Sequence, residues 1–254
     1  MRALLRLSWI LSFLALALRP AIVLAEDTID TEPTDDGPLT IRPLTHGSVL
    51  LEWKERAIYI DPSGTYDWAS LPKADLILVT HEHGDHASPA TVAKIRKTET
   101  QIVANPGAAR QFTGAKVMKN GDEAELLEIG IEAVPAYNMV RRTYHPKGRD
   151  NGYVLTFADV RVYLAGDTEA VPEMAELEGI DIAFLPINLP YTMPPAEAAV
   201  AARMFKPRIL YPYHQGSSDP EEVKELLAAG TIKSAPDVTK GINKELLAKA
   251  MGRR

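Results

Sequence analysis

Residues 80–86 read Thr-His-Glu-His-Gly-Asp-His and follow directly on the apolar run Ala74-Asp75-Leu76-Ile77-Leu78-Val79. The run has the length and aliphatic character of a buried strand. The turn that leaves it therefore has a fixed root in a sheet, and His81, His83, Asp85 and His86 can be aimed from it at one small region. Imidazole and carboxylate together suit zinc, iron or manganese, and neutral imidazole is the commonest metal ligand in proteins. The whole chain has six histidines and three of them are in this turn. A fold that uses them needs other strands whose ends converge on the same place, which points to sheets with loops gathered along one edge.

With 254 residues, the chain is long enough for one large α/β domain or two small ones with a real core. The formal net charge is −6. Residues 1–25 carry Arg2, Arg6 and Arg19 and no acid, so the remainder has 25 basic against 34 acidic residues, or −9. That balance argues against a general nucleic-acid binder, which needs basic surface to neutralise phosphates, though a local basic pocket is compatible with it. There is no cysteine, so no disulfide forms and no metal site can use thiolate.

The N-terminus has a short basic segment, a nearly continuous apolar run over residues 7–18, and Val23-Leu24-Ala25 before Glu26. This is the pattern of a secretory signal peptide, with cleavage after Ala25. The apolar run is short for a transmembrane span. The expected location is periplasmic or secreted, with no stable membrane span after cleavage; an uncleaved anchor is the alternative. Residues 26–38 are acidic, polar and contain proline, and read as a disordered leader.

Residues 39–254 read as one domain. Short strands are expected at 39–43, 48–53 and 57–61, then at 75–79, with a helix over 88–97 that Ser88 caps and Pro89 begins. A strand at 101–104 and a short helix at 106–112 follow. Residues 116–134 read as β with a turn at Asn120-Gly121-Asp122, and 136–151 as a long irregular loop. A hairpin is expected from 153–157 and 161–165. A short helix at 172–177, a strand at 180–187, an alanine-rich helix at 194–205, a strand at 209–213 and helices at 220–229 and 243–250 complete the chain. Both halves thus run from β into helix, and the strands are apolar on both faces, as suits sheets covered by other layers.

The remaining histidines sit where strands end: His46, His145 in the long loop, and His214 after Pro212-Tyr213. Asp167 occupies a similar place in Gly166-Asp167-Thr168. With Thr45-His46-Gly47-Ser48, Ile60-Asp61-Pro62, His145-Pro146-Lys147-Gly148 and Tyr191-Thr192-Met193, this ordered set resembles the metallo-β-lactamase superfamily of metal-dependent hydrolases. It is similar above all to the branch of ascorbate-6-phosphate lactonase-like proteins. The resemblance spans residue 39 to the C-terminus. It implies an α/β fold, a four-layer αββα sandwich with the site along one edge of two sheets. It implies two divalent metal ions, zinc foremost, with manganese or iron compatible. His81, His83 and His145 would hold one, Asp85, His86 and His214 the other, and Asp167 would bridge. Asp85 and Asp167 are then the catalytic residues, through the water that the two cations acidify.

His46, Asp61 and Tyr191 are expected beside the ligands or the substrate; the alternatives are a satisfied core histidine, a polar strand end and a packing aromatic. Tyr137 and Met193 either line the pocket or pack. Arg141, Arg142, Lys147 and Arg149 crowd His145 and are either an anion-binding rim or a solvated loop. His83 stands where redox di-iron relatives carry a carboxylate, which favours hydrolysis. Lack of cysteine excludes the cysteine-containing site of the common zinc β-lactamases. The expected activity is hydrolysis of a small-molecule lactone or ester. A phosphodiesterase or phospholipase-type hydrolase on the same metals is the first alternative, and a non-catalytic metal-binding protein the second.

Overall fold

The computed structural model describes residues 21–22 and 29–229. An antiparallel meander opens the fold. After β1 (Ala21–Ile22) come β2 (Asp30–Glu32), β3 (Leu39–Pro43), β4 (Val49–Trp53) and β5 (Arg56–Ile60). The chain then turns parallel through β6 (Ala74–Val79), α1 (Pro89–Ile95), β7 (Arg96–Ala104) and β8 (Lys116–Val117). The second half repeats the scheme: β9 (Glu123–Leu126), β10 (Ile129–Ala136), β11 (Asp150–Phe157) and β12 (Val160–Leu164) are antiparallel. The strands β13 (Ile182–Pro186) and β14 (Ile209–Tyr213) then run parallel to β12, joined by α2 (Pro195–Phe205), and α3 (Pro220–Ala228) follows. Two seven-stranded sheets result, β2-β3-β4-β5-β6-β7-β8 and β1-β14-β13-β12-β11-β10-β9.

The period of two along each strand decides the layers. Val49, Leu51 and Trp53 of β4 and Leu76 and Leu78 of β6 face Tyr153, Leu155 and Phe157 of β11 and Ile182 and Phe184 of β13, forming the core between the sheets. The alternate residues point the other way. Leu50, Ile77 and Val79 pack with Val92 and Ile95 of α1. Val154, Ala183 and Leu185 pack with alanines of α2 and with Val223 and Leu227 of α3. Strands buried on both faces read as continuous apolar runs, each fully buried Leu or Ile contributing roughly 2 kcal/mol. The αββα sandwich expected from the resemblance is the fold. Alanines allow α2 to lie close to its sheet while α3 covers its outer side, and α2 stops at Lys206, left-handed at φ 53°, before Pro207.

Local differences have simple causes. Ser88 caps α1 by accepting the Thr91 N–H, but the helix ends at Ile95 and β7 begins at once. The segment at 106–112 forms only a 3₁₀ turn at Ala108–Gln111, and that at 172–177 one at Pro172–Glu176. The disordered reading of residues 26–38 fails at Asp30–Glu32. These residues pair antiparallel with β3, and their acids find partners on the other sheet: Tyr211 Oη donates to Asp30 at 2.6 Å and Arg208 Nη2 to Glu32 at 2.5 Å. The rest of the segment expected to be a signal peptide lies outside the described residues, but Ala21–Ile22 within it pairs in parallel with β14. The expected helix at 243–250 also lies outside them. No described helix is long and apolar enough to cross a membrane.

Candidate metal centre

Parallel strands deliver the site. The C-terminal ends of β5, β6, β12 and β14 lead into Asp61, the turn at 80–86, Asp167 and His214, the place where open α/β sheets bind ligands. His145 comes from the loop between β10 and β11, and His46 from the turn between β3 and β4. Three of these residues have left-handed backbones: His46 (φ 56°), Asp61 (φ 45°) and His214 (φ 47°). Asp and His tolerate this region better than most residues, and the strain of about 1 kcal/mol each is typical of functional sites. Gly166 (φ 63°) is required, since a Cβ there would lie 2.9 Å from the Asn151 carbonyl oxygen and 3.1 Å from Thr80 Cβ.

The donor atoms converge in three overlapping groups: His81, His83 and His145; His46, Asp85, His86 and His214; and His81, His86 and Asp167, the atoms within each lying within 4.8 Å of one another. His81 Nε2 is 3.1 Å from His83 Nδ1, and His86 Nε2 is 3.0 Å from His214 Nε2. Asp167 reaches both sides: Oδ1 is 3.5 Å from His86 Nε2 and 3.4 Å from His214 Nε2, while Oδ2 is 3.4 Å from His145 Nε2. Its Oδ1 is buried without a hydrogen-bond partner.

Acids fix the rings from behind. His86 Nδ1 lies 2.8 Å from Asp61 and His145 Nδ1 2.9 Å from Asp150, so Nε2 of both rings faces the centre. Asp61 also accepts the Thr80 N–H at 2.8 Å and the Thr80 hydroxyl at 2.6 Å, and that hydroxyl is 2.9 Å from His81 Nδ1. His214 Nδ1 is 3.0 Å from the Asn188 amide nitrogen. His46 Nε2 lies 3.0 Å from Asp85 Oδ2, the oxygen that also lies 3.9 Å from His86 Nε2 and 3.8 Å from His214 Nε2.

The electrostatics show a site short of positive charge. Burial opposes ionisation of Asp167, but His86 and His214 hold its carboxyl well below the usual range. Burial also disfavours a charged His86, yet Asp167 and Asp61 raise it well above an ordinary histidine. Burial lowers His145 too, and Asp150 and Asp167 outweigh it, for a net rise. The hydrogen bond from His46 holds Asp85 low despite burial. Burial keeps His81 well below the ordinary value, burial and nearby His145 lower His83, and burial pushes His214 down to about 4. Protons on His86 and His145 thus sit where cations would offset the same carboxylates.

Of the two readings of the basic loop residues, the anion-binding rim is not what lines the cavity. Arg141 Nη1 donates to buried Glu169 at 2.5 Å, and Glu169 also accepts the N–H groups of Met139, Val140 and Arg141. Lys147 bonds Glu173 at 2.8 Å and the Tyr137 hydroxyl at 3.1 Å. Arg149 pairs with Asp150 at 2.6 Å, and Arg142 Nε donates to the Met139 carbonyl at 2.6 Å. Three of the four are paired with acids and Arg142 with a carbonyl, and none of them lines the central cavity of about 310 Å³. Its walls are His46, His83, Asp85, His145, Asp167, His214, Asn188, Tyr144 and Tyr191. Tyr191 stands there, whereas Tyr137 and Met193 pack in the layer under α2. Asn188, Tyr144 and Asp150 escaped the sequence reading, although Asp150, five residues after His145, could have been noticed as its partner.

A second buried acid near Arg141 has a pH signature. Glu197, on the buried face of α2, accepts the Ala170 N–H at 2.9 Å, and burial, reinforced by Glu169, raises its carboxyl to about 7. The native state therefore holds a proton that the unfolded chain releases above 4.5, and this contribution to stability is lost as pH rises from 4.5 through 7. Glu197→Gln keeps an oxygen for the Ala170 N–H. It is expected to stabilise the fold by about 1–3 kcal/mol at pH 8 and by little at pH 5, read from denaturant unfolding at both pH values. An unchanged pH trend would contradict the assignment.

Two sheets with a histidine- and aspartate-rich centre at their shared edge define a metallohydrolase of the β-lactamase-like class. The chain belongs to the β-lactamase superfamily: residues 40–214 match the Beta-lactamase superfamily domain. It is 36% identical over 206 residues to a UPF0173 metal-dependent hydrolase of Thermococcus kodakarensis, covering 74% of this chain and 91% of the relative. A Pyrococcus horikoshii member of the same group is 35% identical over 208 residues, with the same coverage. Among solved structures, a Parabacteroides distasonis protein assigned to the metal-dependent hydrolases is 48% identical with a TM-score of 0.78, covering 82% of this chain and 96% of that one. A metallo hydrolase from Ignicoccus hospitalis is 25% identical with a TM-score of 0.65, covering 76% and 91%. The chain is thus a metal-dependent hydrolase. These relatives carry no information on the lactonase-like branch.

Proposed function

We propose that two divalent cations, zinc foremost, serve the hydrolysis of a small uncharged lactone or ester at this centre. His81, His83 and His145 would hold one, Asp85, His86 and His214 the other, and Asp167 would lie between them. The observation that carries this reading is the buried Asp167 oxygen without a hydrogen-bond partner, set among imidazoles whose Nε2 atoms face it. The donor set fits: nitrogen and carboxylate oxygen with no sulfur, and acids behind the rings of His86 and His145.

When bound, such ions supply Lewis acidity and lower the pKa of a shared water. The chain does the positioning. Asp61 and Asp150 orient His86 and His145, and Thr80 links Asp61 to His81. Tyr144 and Tyr191 wall one side of the cavity that also contains Asp85 and Asp167. The phosphodiester reading is less favoured because no lysine or arginine side chain lines the cavity, and Arg141, Lys147 and Arg149 are each paired with an acid.

Elemental analysis of protein grown with zinc, manganese and iron supplied is expected to find close to two metal ions per chain. Chelation should abolish hydrolysis and re-addition restore it, with lactones and esters turned over ahead of phosphodiesters. Purified protein without stoichiometric metal would end the metal assignment. Turnover confined to phosphodiesters would end the substrate assignment alone.

A further inference from the structure

Among the described residues, six large apolar or aromatic side chains are well exposed, and four of them belong to two loops at the mouth of the metal centre. Val140 (53% exposed) and Tyr144 (38%) are on the loop between β10 and β11; Leu189 (42%) and Tyr191 (46%) are on the loop after β13. Soluble surfaces scatter such residues singly, and their collection around one cavity marks an interaction site. The two loops are joined: Asn138 Nδ2 donates to the Tyr191 carbonyl at 2.7 Å. Tyr144 and Tyr191 meet edge to face, with ring centroids 5.0 Å apart and planes at 78°. Both rings line the cavity that holds the donor atoms of His83, Asp85, His145, Asp167 and His214.

What covers this surface follows from its continuity with the reacting centre. The cavity has donor atoms for a polar head on one side and an aromatic wall on the other. Arg141, Lys147 and Arg149 are held by Glu169, Glu173 and Asp150, and no lysine or arginine, Arg142 included, lines the cavity, so an anionic substituent inside it would meet neither type of side chain. An uncharged planar or branched group would gain contact with the rings at small entropic cost, since both tyrosines have few rotatable bonds and are already in contact.

We infer that the Tyr144–Tyr191 pair, with Val140 and Leu189 beside it, selects substrates whose hydrolysable group carries an uncharged aromatic or branched apolar substituent. This rests on the metal-hydrolase reading, and it adds the substituent that the site prefers.

Hydroxamates test it through binding and need no turnover. Protein loaded with zinc is titrated calorimetrically with acetohydroxamate, benzohydroxamate and 4-carboxybenzohydroxamate. Benzohydroxamate is expected to bind about tenfold or more tighter than acetohydroxamate, and the added carboxylate should bring no gain. Combined Tyr144→Ala and Tyr191→Ala should bring the affinities for benzohydroxamate and acetohydroxamate together. Combined Tyr144→Phe and Tyr191→Phe should keep the preference, because the rings and not the hydroxyls carry it. Equal affinities for the first two compounds would overturn this inference alone, as would a preference that survives the alanine pair. Tighter binding of the carboxylated compound would overturn it in favour of an anionic substituent. If the protein takes up no zinc, the metal reading fails and this one with it; zinc-loaded protein that binds no hydroxamate overturns this inference alone.

Discussion

Replacing Asp167 by asparagine is expected to lower kcat/KM for any substrate the wild type hydrolyses by on the order of 10³-fold, the scale on which one preorganised electrostatic group contributes to a buried site. The substitution preserves shape and removes the charge that stands between the two histidine groups. Oδ1 of Asp167 has no hydrogen-bond partner, while imidazole nitrogens lie 3.4 and 3.5 Å from it. A carboxylate held low by neighbouring histidines contributes stability above its unfolded pKa, and that contribution is lost as pH falls through the folded value. The metal-free asparagine variant should therefore melt below the metal-free wild type at pH 7, with the gap closing on acidification. Elemental analysis should also show reduced metal in the variant. Wild-type turnover together with wild-type metal content would remove Asp167 from the bridging role.

The second large effect is expected at Asp61. Alanine there leaves the buried Thr80 N–H and hydroxyl without their acceptor and takes the carboxylate from His86, at a cost of about 3–5 kcal/mol. The backbone at φ 45° adds strain for alanine, which has no side chain to bond locally. For a domain of this size the loss corresponds to about 10 °C in melting temperature. Asp61→Asn tolerates the same backbone and can still accept one Thr80 bond, so it should recover part of the loss while metal retention stays impaired. An alanine variant that melts within about 2 °C of the wild type would show that Asp61 is not the anchor beneath the turn.

Much of the site was legible because its signals are local. The run at 74–79 reads as a strand, and a turn rooted in it can direct His81, His83, Asp85 and His86 together whatever surrounds it. Gly166 announces the tight turn that brings Asp167 past Thr80. Other features were not legible, because their partners are distant in the chain. Arg141 looks available to an anion until Glu169, 28 residues on, takes it. Asp30 and Glu32 look solvated until Tyr211 and Arg208 meet them across the fold. Glu197 is one acid in an alanine helix, and only the packing of α2 buries it beside Ala170.

The chain's residue types settle the chemistry: nitrogen and oxygen donors without sulfur, carried on turns that end apolar strands. They settle the layers as well, because strands apolar on both faces must be covered twice. The tertiary structure alone decides which charges remain available and what faces the cavity. A salt bridge or a buried pair depends on distances between segments, and those are fixed only when the sheets close on one another. That closure pairs Arg141, Lys147 and Arg149 with acids and leaves Tyr144 and Tyr191 at the mouth of the centre.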